Sequence, residues 1–170
     1  MTRRFRYSTP KGFDDILMFS DGSVLTELRF EQMHKKSEQK ELFEEKNLPV
    51  FNDVSRWLDI YFSGKEPDFT PDYRIDGMTP FRRDVFEILL KIPFGKTVTY
   101  GEIAAEIARK RNIAKMSAQA VGGAVGWNPV CIIVPCHRVI GADGSLTGYG
   151  GGMKNKIALL ELEKVLFRHK

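Results

Sequence analysis

The segment KEPDFTPDYRIDGM, residues 65–78, does most to limit how this chain can fold. It carries Pro67, Pro71 and Gly77. Proline lacks a backbone donor and breaks helices and central strands, and glycine weakens both. We therefore expect this segment to be an extended linker at the boundary between two domains, residues 1–76 and 77–170. A chain of 170 residues is long enough to bury a hydrophobic core.

The first half predicts a small α/β domain. In DDILMFSDGSVLTELRF, two apolar runs, Ile16–Phe19 and Val24–Phe30, flank an Asp-Gly pair, which is a strong hairpin signal. FNDVSRWLDIYFSG follows as a helix that Gly64 ends. The apolar positions of this helix share one face: Val54, Leu58 and Phe62. A short antiparallel sheet with one helix is the expected result.

The second half predicts a mainly helical domain. Thr79 is a suitable N-cap with Pro80 in the first turn, and Thr99-Tyr-Gly-Glu102 forms a capping box. A third helix begins after Ser117, so the two later helices form a candidate helix-turn-helix. MKNKIALLELEKVLF predicts a last amphipathic helix with three apolar positions: Ile157, Leu160 and Leu162. The fold class is therefore mixed α+β.

Cys136 lies between a proline and a histidine at the end of the apolar run VCIIV, which predicts a buried strand. Pro135 ends that run, and strand ends commonly present reactive side chains. A thiol with a pKa near 8.5 needs a base, and His137 held by a carboxylate would supply one. Spacing leaves Glu161 and Glu163 both open as that carboxylate.

Cys131, five positions earlier, is expected to be a core residue. The cysteine and histidine spacing fits neither a disulfide framework nor a metal cluster, so we expect no metal. No run approaches the roughly 20 apolar residues of a membrane span, and the basic start lacks the apolar stretch of a signal peptide. We expect a cytoplasmic protein with reduced thiols.

Charge and small side chains raise the question of a nucleic-acid partner. Residues 1–76 hold 12 basic and 15 acidic side chains, whereas residues 77–170 hold 14 and 7. The helix after Ser117 consists largely of alanine and glycine, although each internal glycine costs about 1 kcal/mol relative to alanine. Close packing against another helix is one explanation. Close approach of the helix to phosphates is the other.

Several runs together resemble the O6-alkylguanine-DNA alkyltransferases, also called methylated-DNA–protein-cysteine methyltransferases. They are PCHRVI (135–140) preceded by Asn128-Pro129, TVTYGEIA, AVGGAVGWNP and GSLTGYGGG. The resemblance covers about residues 79–163, while residues 1–76 fit only loosely, as the family's variable amino-terminal domain. It implies single-turnover transfer of the alkyl group from a flipped O6-alkylguanine to Cys136, in a reaction that needs no cofactor. The implied partner is double-stranded DNA, bound in the minor groove by a monomer.

The resemblance also implies individual roles. Cys136 would accept the alkyl group, His137 would act as its base through a water, and Glu163 would orient the histidine. Asn128 would brace the turn, and Tyr100 would steer the flipped nucleotide. Residues implied to contact DNA are Thr99, Lys115, Ser117, Ala118, Gln119, Ala120, Gly122, Gly123 and Arg138. Residues implied to line the guanine pocket are Val139, Tyr149 and Gly150.

One position departs from the family pattern. Gln119 stands where better-known members carry an arginine that fills the vacated base stack, so this chain offers a neutral side chain there. Three alternatives stay open: a non-catalytic lesion-binding protein of the same fold, a cysteine hydrolase and a helix-turn-helix regulator. The presence of Cys136 weighs against the first, and the lack of an obvious oxyanion hole against the second. The third would need base-reading side chains, which an alanine- and glycine-rich helix offers poorly.

Overall fold

A computed structural model describes residues 1–34, 43–146 and 149–167. The chain divides into two compact units. The first contains Met1–Asp76 together with Pro129–Ile133, and the second contains Gly77–Asn128 and Val134–Lys170. Residues 129–133 therefore belong to the first unit, whereas the sequence predicted one uninterrupted domain over residues 77–170.

The first unit is built on a four-stranded sheet. Its strands are β1 (Thr2–Tyr7), β2 (Ile16–Ser20), β3 (Leu25–Phe30) and β4 (Phe43–Glu45), in the order β3-β2-β1-β4. β2 and β3 form the predicted antiparallel hairpin, and Asp21 caps its turn by accepting from the amides of Ser23 and Val24. A short 3-10 helix, Glu31–His34, follows β3. Helix α1 (Pro49–Phe62) ends as predicted, with Gly64 at a φ of +87°.

Two strands of this sheet were not predicted from the sequence. β1 pairs antiparallel with β2 and parallel with β4. β1 contains three arginines within six residues, so its sequence does not indicate a strand. Two of these arginines bind carboxylates of β4: Arg3 binds Glu44, and Arg4 binds Glu45. The mixed α+β fold class is confirmed.

The second unit contains α2 (Pro80–Leu89), β5 (Val98–Thr99), α3 (Tyr100–Lys110), α4 (Ala118–Gly126), β6 (Val139–Ile140) and α5 (Met153–Leu162). The predicted caps are present. Thr79 accepts from the amide of Arg82, Thr99 and Glu102 form both bonds of the capping box, and Ser117 accepts from Ala120. α3 and α4 pack together as the expected helix-turn-helix pair. None of the helices in the described ranges is both long and apolar enough to cross a membrane.

The prediction of a buried strand over Val130–Val134 was wrong. Leu28 exchanges backbone hydrogen bonds with Pro129 and Cys131 at 2.9 Å each, and the chain then turns. The Ile133 amide donates to the Cys131 carbonyl across Ile132, whose φ is +70°. That conformation is unusual for a β-branched residue, so tertiary contacts override the local β-propensity.

The last helix is shorter than predicted, and its buried face differs. Helix α5 ends at Leu162, and Ile157 and Leu162 are only half-buried. The buried positions are Asn155, Lys156, Leu159 and Leu160. Two polar side chains therefore occupy a face that periodicity assigns to apolar ones. Within the glycine-rich loop before α5, Thr147 and Gly148 lie outside the described residues.

We predict that Thr79→Ala lowers the free energy of unfolding by about 1 kcal/mol, the usual loss for an N-cap side chain. Thr79→Ser keeps an acceptor oxygen and should lose much less. Urea unfolding followed by circular dichroism measures both values. Equal losses in the two variants would contradict the capping role of the hydroxyl.

Candidate active site

Cys136 is the first residue of a 3-10 helix, Cys136–Arg138, and only 3% of it is exposed. Its amide donates to the Val134 carbonyl at 2.8 Å across Pro135, whose φ of −82° and ψ of 59° are those of an inverse γ-turn. The Asn128 amide nitrogen donates to Cys136 Sγ at 3.1 Å and to the Val134 carbonyl at 2.9 Å. A tight turn and a side-chain amide together hold the sulfur.

His137 is fully buried, and its Nε2 lies 2.8 Å from Glu163 Oε1. Because an ionised carboxylate only accepts, Nε2 carries the proton and Nδ1 carries the lone pair of the neutral ring. Burial lowers the pKa of His137, as do the charges of Arg138 and Lys156, and these effects outweigh the opposing effect of Glu163. The imidazole is therefore a neutral base at pH 7.

Glu163 immediately follows α5 and gathers three groups. Besides His137, it accepts from Arg138 Nε at 2.9 Å and Nη2 at 3.0 Å, and from the Gly95 amide at 3.0 Å. Burial raises the pKa of the Glu163 carboxyl, but the hydrogen bonds from His137 and Arg138 and the charge of Arg138 prevail and hold it well below its usual range. The carboxylate is ionised. Glu161, the other carboxylate that spacing left open, is exposed.

Gly95 needs to be glycine at this place. Its φ is +77°, and a Cβ would lie 3.2 Å from the Glu163 carbonyl oxygen. The bond from its amide to Glu163 thus depends on a conformation and a close approach that other residues tolerate poorly. No signal in the sequence singled out this residue.

The structure corrects the prediction that Arg138 contacts DNA. The residue is 8% exposed, and its guanidinium binds Glu163 through two nitrogens while Nη1 donates to the Ile92 carbonyl at 2.8 Å. A side chain held this way cannot also reach a phosphate at the surface. Arg138 instead fixes the carboxylate that holds His137.

The other predicted pocket residues lie at the start of α3, on β6 and in the loop before α5. β5 and β6 pair in parallel, with Val98 opposite Val139 and Thr99 opposite Ile140, so half-buried Tyr100 begins α3 beside the strand that follows His137. Val139 is buried, Tyr149 is half-buried and Gly150 is exposed. These placements leave their proposed roles in the guanine pocket as predictions.

Lys156 was missed by the sequence reasoning. It is fully buried in α5, and its Nζ donates to the Val139 carbonyl at 2.7 Å. A signal was available, because Lys156 and Glu163 are seven residues apart and Leu159 and Leu160 lie between them. That spacing places all four on one helical face, which must be the buried one.

Helix α4 presents a surface of small side chains. Its first turn is exposed at Ser117, Ala118, Gln119 and Ala120, and Gly123 and nearby Lys115 are also exposed. A Cβ at Gly123 would meet nothing within 4 Å, and one at half-buried Gly122 would meet only the Tyr100 ring at 3.8 Å. Close packing with another helix therefore does not explain these glycines. Two basic side chains at the end of α3 are already paired, because Lys110 and Arg111 bind Asp84 at 2.8 Å each.

This arrangement defines a class of protein: one whose helix-turn-helix unit also holds a buried cysteine followed by a neutral histidine that a fixed carboxylate binds. Among the described residues, no three His, Cys, Asp or Glu side chains are grouped to hold a metal. Two family models match the chain. The 6-O-methylguanine DNA methyltransferase DNA binding domain matches residues 80–165, and the ribonuclease-like domain of the same proteins matches residues 7–72.

Similar proteins agree with these matches. The methylated-DNA–protein-cysteine methyltransferase of Mycobacterium tuberculosis is 46% identical over 143 residues, or 84% of this chain and 82% of that protein. A crystal structure of M. tuberculosis O6-methylguanine methyltransferase matches with a TM-score of 0.78 and 41% identity, covering 96% of this chain and 93% of that chain. A structure of M. tuberculosis OGT in complex with DNA matches with a TM-score of 0.75 and 40% identity, covering 96% of this chain and 92% of that chain. The chain belongs to the methylated-DNA–protein-cysteine methyltransferase family, which confirms the resemblance.

The neutral state of His137 predicts acid sensitivity. Its pKa in the folded protein lies below the value of about 6.5 expected in the unfolded chain. The unfolded chain therefore binds more protons at lower pH, and the free energy of unfolding falls as pH drops below about 6.5, by at most about 1.4 kcal/mol per pH unit for one proton.

In His137→Gln the side-chain amide can still donate to Glu163 but does not titrate. We expect a smaller decline for this variant between pH 6.5 and 5, measured by urea unfolding. Identical declines in the two proteins would show that folding does not lower the pKa of His137.

Proposed function

We propose that this protein repairs O6-alkylguanine in DNA by transferring the alkyl group to Cys136 in one irreversible turnover. One observation carries the proposal most directly. In a chain of this family, Cys136 Sγ receives a hydrogen bond from Asn128 and directly precedes a histidine fixed by a buried carboxylate. This set of groups suits the generation of a thiolate.

The proposed reaction needs no cofactor. His137 takes the thiol proton through a water, and the bond from Asn128 stabilises the resulting thiolate. A sulfur electron pair then forms the bond to the alkyl carbon while the bond between that carbon and O6 breaks. The electron pair of the broken bond remains on the guanine O6, and guanine gains the proton originally lost by the thiol. The thioether product has no carbonyl for water to attack, so Cys136 is not regenerated.

The substrate base must leave the helix to reach a buried sulfur. We propose that α4 enters the minor groove and that Gln119 fills the vacated stack. The exposed glycine at 123, whose missing side chain serves no packing inside the protein, supports a close approach to DNA. Thr99 and Lys115 would contact the backbone, and Tyr100 would steer the flipped nucleotide.

The remaining assignments follow from this reaction. Val139, Tyr149 and Gly150 would line the guanine pocket, residues 77–170 would bind DNA and catalyse transfer, and residues 1–76 would act as a scaffold. We propose that the protein acts as a monomer. A thiolate nucleophile also requires a reducing compartment, which supports a cytoplasmic location.

The central test is intact-protein mass spectrometry after mixing with a duplex that carries one O6-methylguanine. We expect a gain of one methyl group, mapped to Cys136 rather than Cys131, and no gain in Cys136→Ser. DNA binding without any gain in the unmodified protein would indicate a lesion-binding protein instead. Continued release of product after one equivalent would indicate a hydrolase.

Gln119 can be tested separately from the chemistry. Because flipping a base from a duplex costs a few kcal/mol, Gln119→Ala should slow methyl transfer from duplex DNA by roughly tenfold, or about 1.4 kcal/mol. Transfer from a single-stranded oligonucleotide should be nearly unchanged, since no stack is vacated. Gln119→Arg should steepen the salt dependence of duplex binding by adding a cation. Equal slowing on both substrates would contradict a role in flipping.

A further inference from the structure

Lys156 is a buried cation next to the nucleophile, and the reaction described above does not use it. It is 0% exposed in α5, and its ammonium donates to the Val139 carbonyl at 2.7 Å. Val139 is the first residue after the 3-10 helix that carries Cys136. Burying an ammonium is costly unless the site compensates for it, so its position requires a reason.

The charge of Lys156 acts on both titratable groups of that helix. Burial lowers the pKa of Lys156 to about 8, and the negative charge of the Cys136 thiolate opposes that shift. The same ammonium lowers the pKa of His137. Such interactions are mutual, so a cation that the thiolate favours must in turn favour the thiolate. With a pKa of about 8, Lys156 is mostly protonated at pH 7.

Two other contacts fix where this charge lies. The Lys156 ammonium is 5.9 Å from the centroid of the Tyr149 ring, which comes from the loop before α5. Helix α5 itself is tied to that loop, because Asn155 donates to the Gly151 carbonyl at 2.7 Å. The ammonium thus sits between the loop, the start of β6 and the segment that carries the thiol.

We propose that Lys156 is a positioning residue for alkyl transfer: its ammonium fixes the Val139 carbonyl, three residues after Cys136, and favours the thiolate form of Cys136. Alkyl transfer itself rests on the proposed function. The effect on the thiol does not, because it is a property of the protein alone. A lysine that only joined α5 to β6 would change stability when replaced, and it would leave the thiol titration where it was.

The first experiment compares Lys156→Met with the unmodified protein. Methionine retains most of the volume and removes the charge. The rate at which iodoacetamide modifies Cys136 is measured from pH 5 to 10, with mass mapping to separate Cys136 from Cys131. We expect the midpoint of this rate–pH curve to be about 1–3 pH units higher in Lys156→Met, which is the range that loss of a neighbouring opposite charge produces. Methyl transfer from the O6-methylguanine duplex at pH 7 should slow accordingly.

The matched control is Lys154→Met, which makes the same change on the exposed side of the same helix. The midpoint of its Cys136 modification curve should equal that of the unmodified protein. A Lys156→Met profile that superimposes on the other two would overturn the proposal. Failure of the unmodified protein to accept methyl groups, with the shift still present, would refute the proposed function and leave the effect of Lys156 standing.

A second measurement needs no change at Lys156 and covers the case in which Lys156→Met does not fold. Nuclear magnetic resonance of the lysine side chains follows the titration of Lys156 in the unmodified protein and in Cys136→Ser. Removing the thiolate should shift the Lys156 midpoint downward, because the attraction that raises it is lost. Equal midpoints in the two proteins would show that the two charges do not interact.

Discussion

The second unit depends on one buried carboxylate. Glu163 accepts from the His137 ring, from the Arg138 guanidinium and from the Gly95 amide, which belong to two separate segments of the chain. It also lies at the C-terminal end of α5, where the helix dipole disfavours a negative charge. Only a permanent cation and several donors make an ionised carboxylate stable there. Arg138 is therefore as necessary to the site as the histidine that it helps to orient.

Fixing the carboxylate fixes the protonation states around it. Glu163 stays ionised because Arg138 binds it through two nitrogens, so the proton between Glu163 and His137 remains on the ring. Burial keeps that ring neutral, which leaves Nδ1 as the basic nitrogen. The γ-turn at Pro135 and the amide of Asn128 hold the sulfur independently of this pair. The position of the sulfur and the proton affinity of His137 are thus set by different contacts.

Local chemistry explains what the sequence could predict. The caps at Thr79, Thr99 and Ser117 depend on residues three positions away, and all three were confirmed. The run around Ile132 was misjudged because its shape depends on hydrogen bonds to Leu28, about a hundred positions earlier. The cysteine and the histidine were singled out by type and spacing, whereas spacing left Glu161 and Glu163 both open and only the family resemblance pointed to Glu163. Arg138 was misplaced and Lys156 was missed because charged residues are normally exposed, and their tertiary partners are what stabilise them in the interior.

The two buried cations of the candidate site, Arg138 and Lys156, differ in a way that suits their partners. Glu163 is a permanent anion, and a guanidinium matches it with a planar fork and a charge that is never lost. Cys136 is different, because the transfer proposed for it turns a thiolate into a neutral thioether. An arginine would then remain as a buried charge facing an uncharged group. Lys156, with a pKa of about 8, can release its proton at little cost. A titratable cation beside the nucleophile and a permanent one beside the carboxylate therefore follow from the chemistry that each partner undergoes.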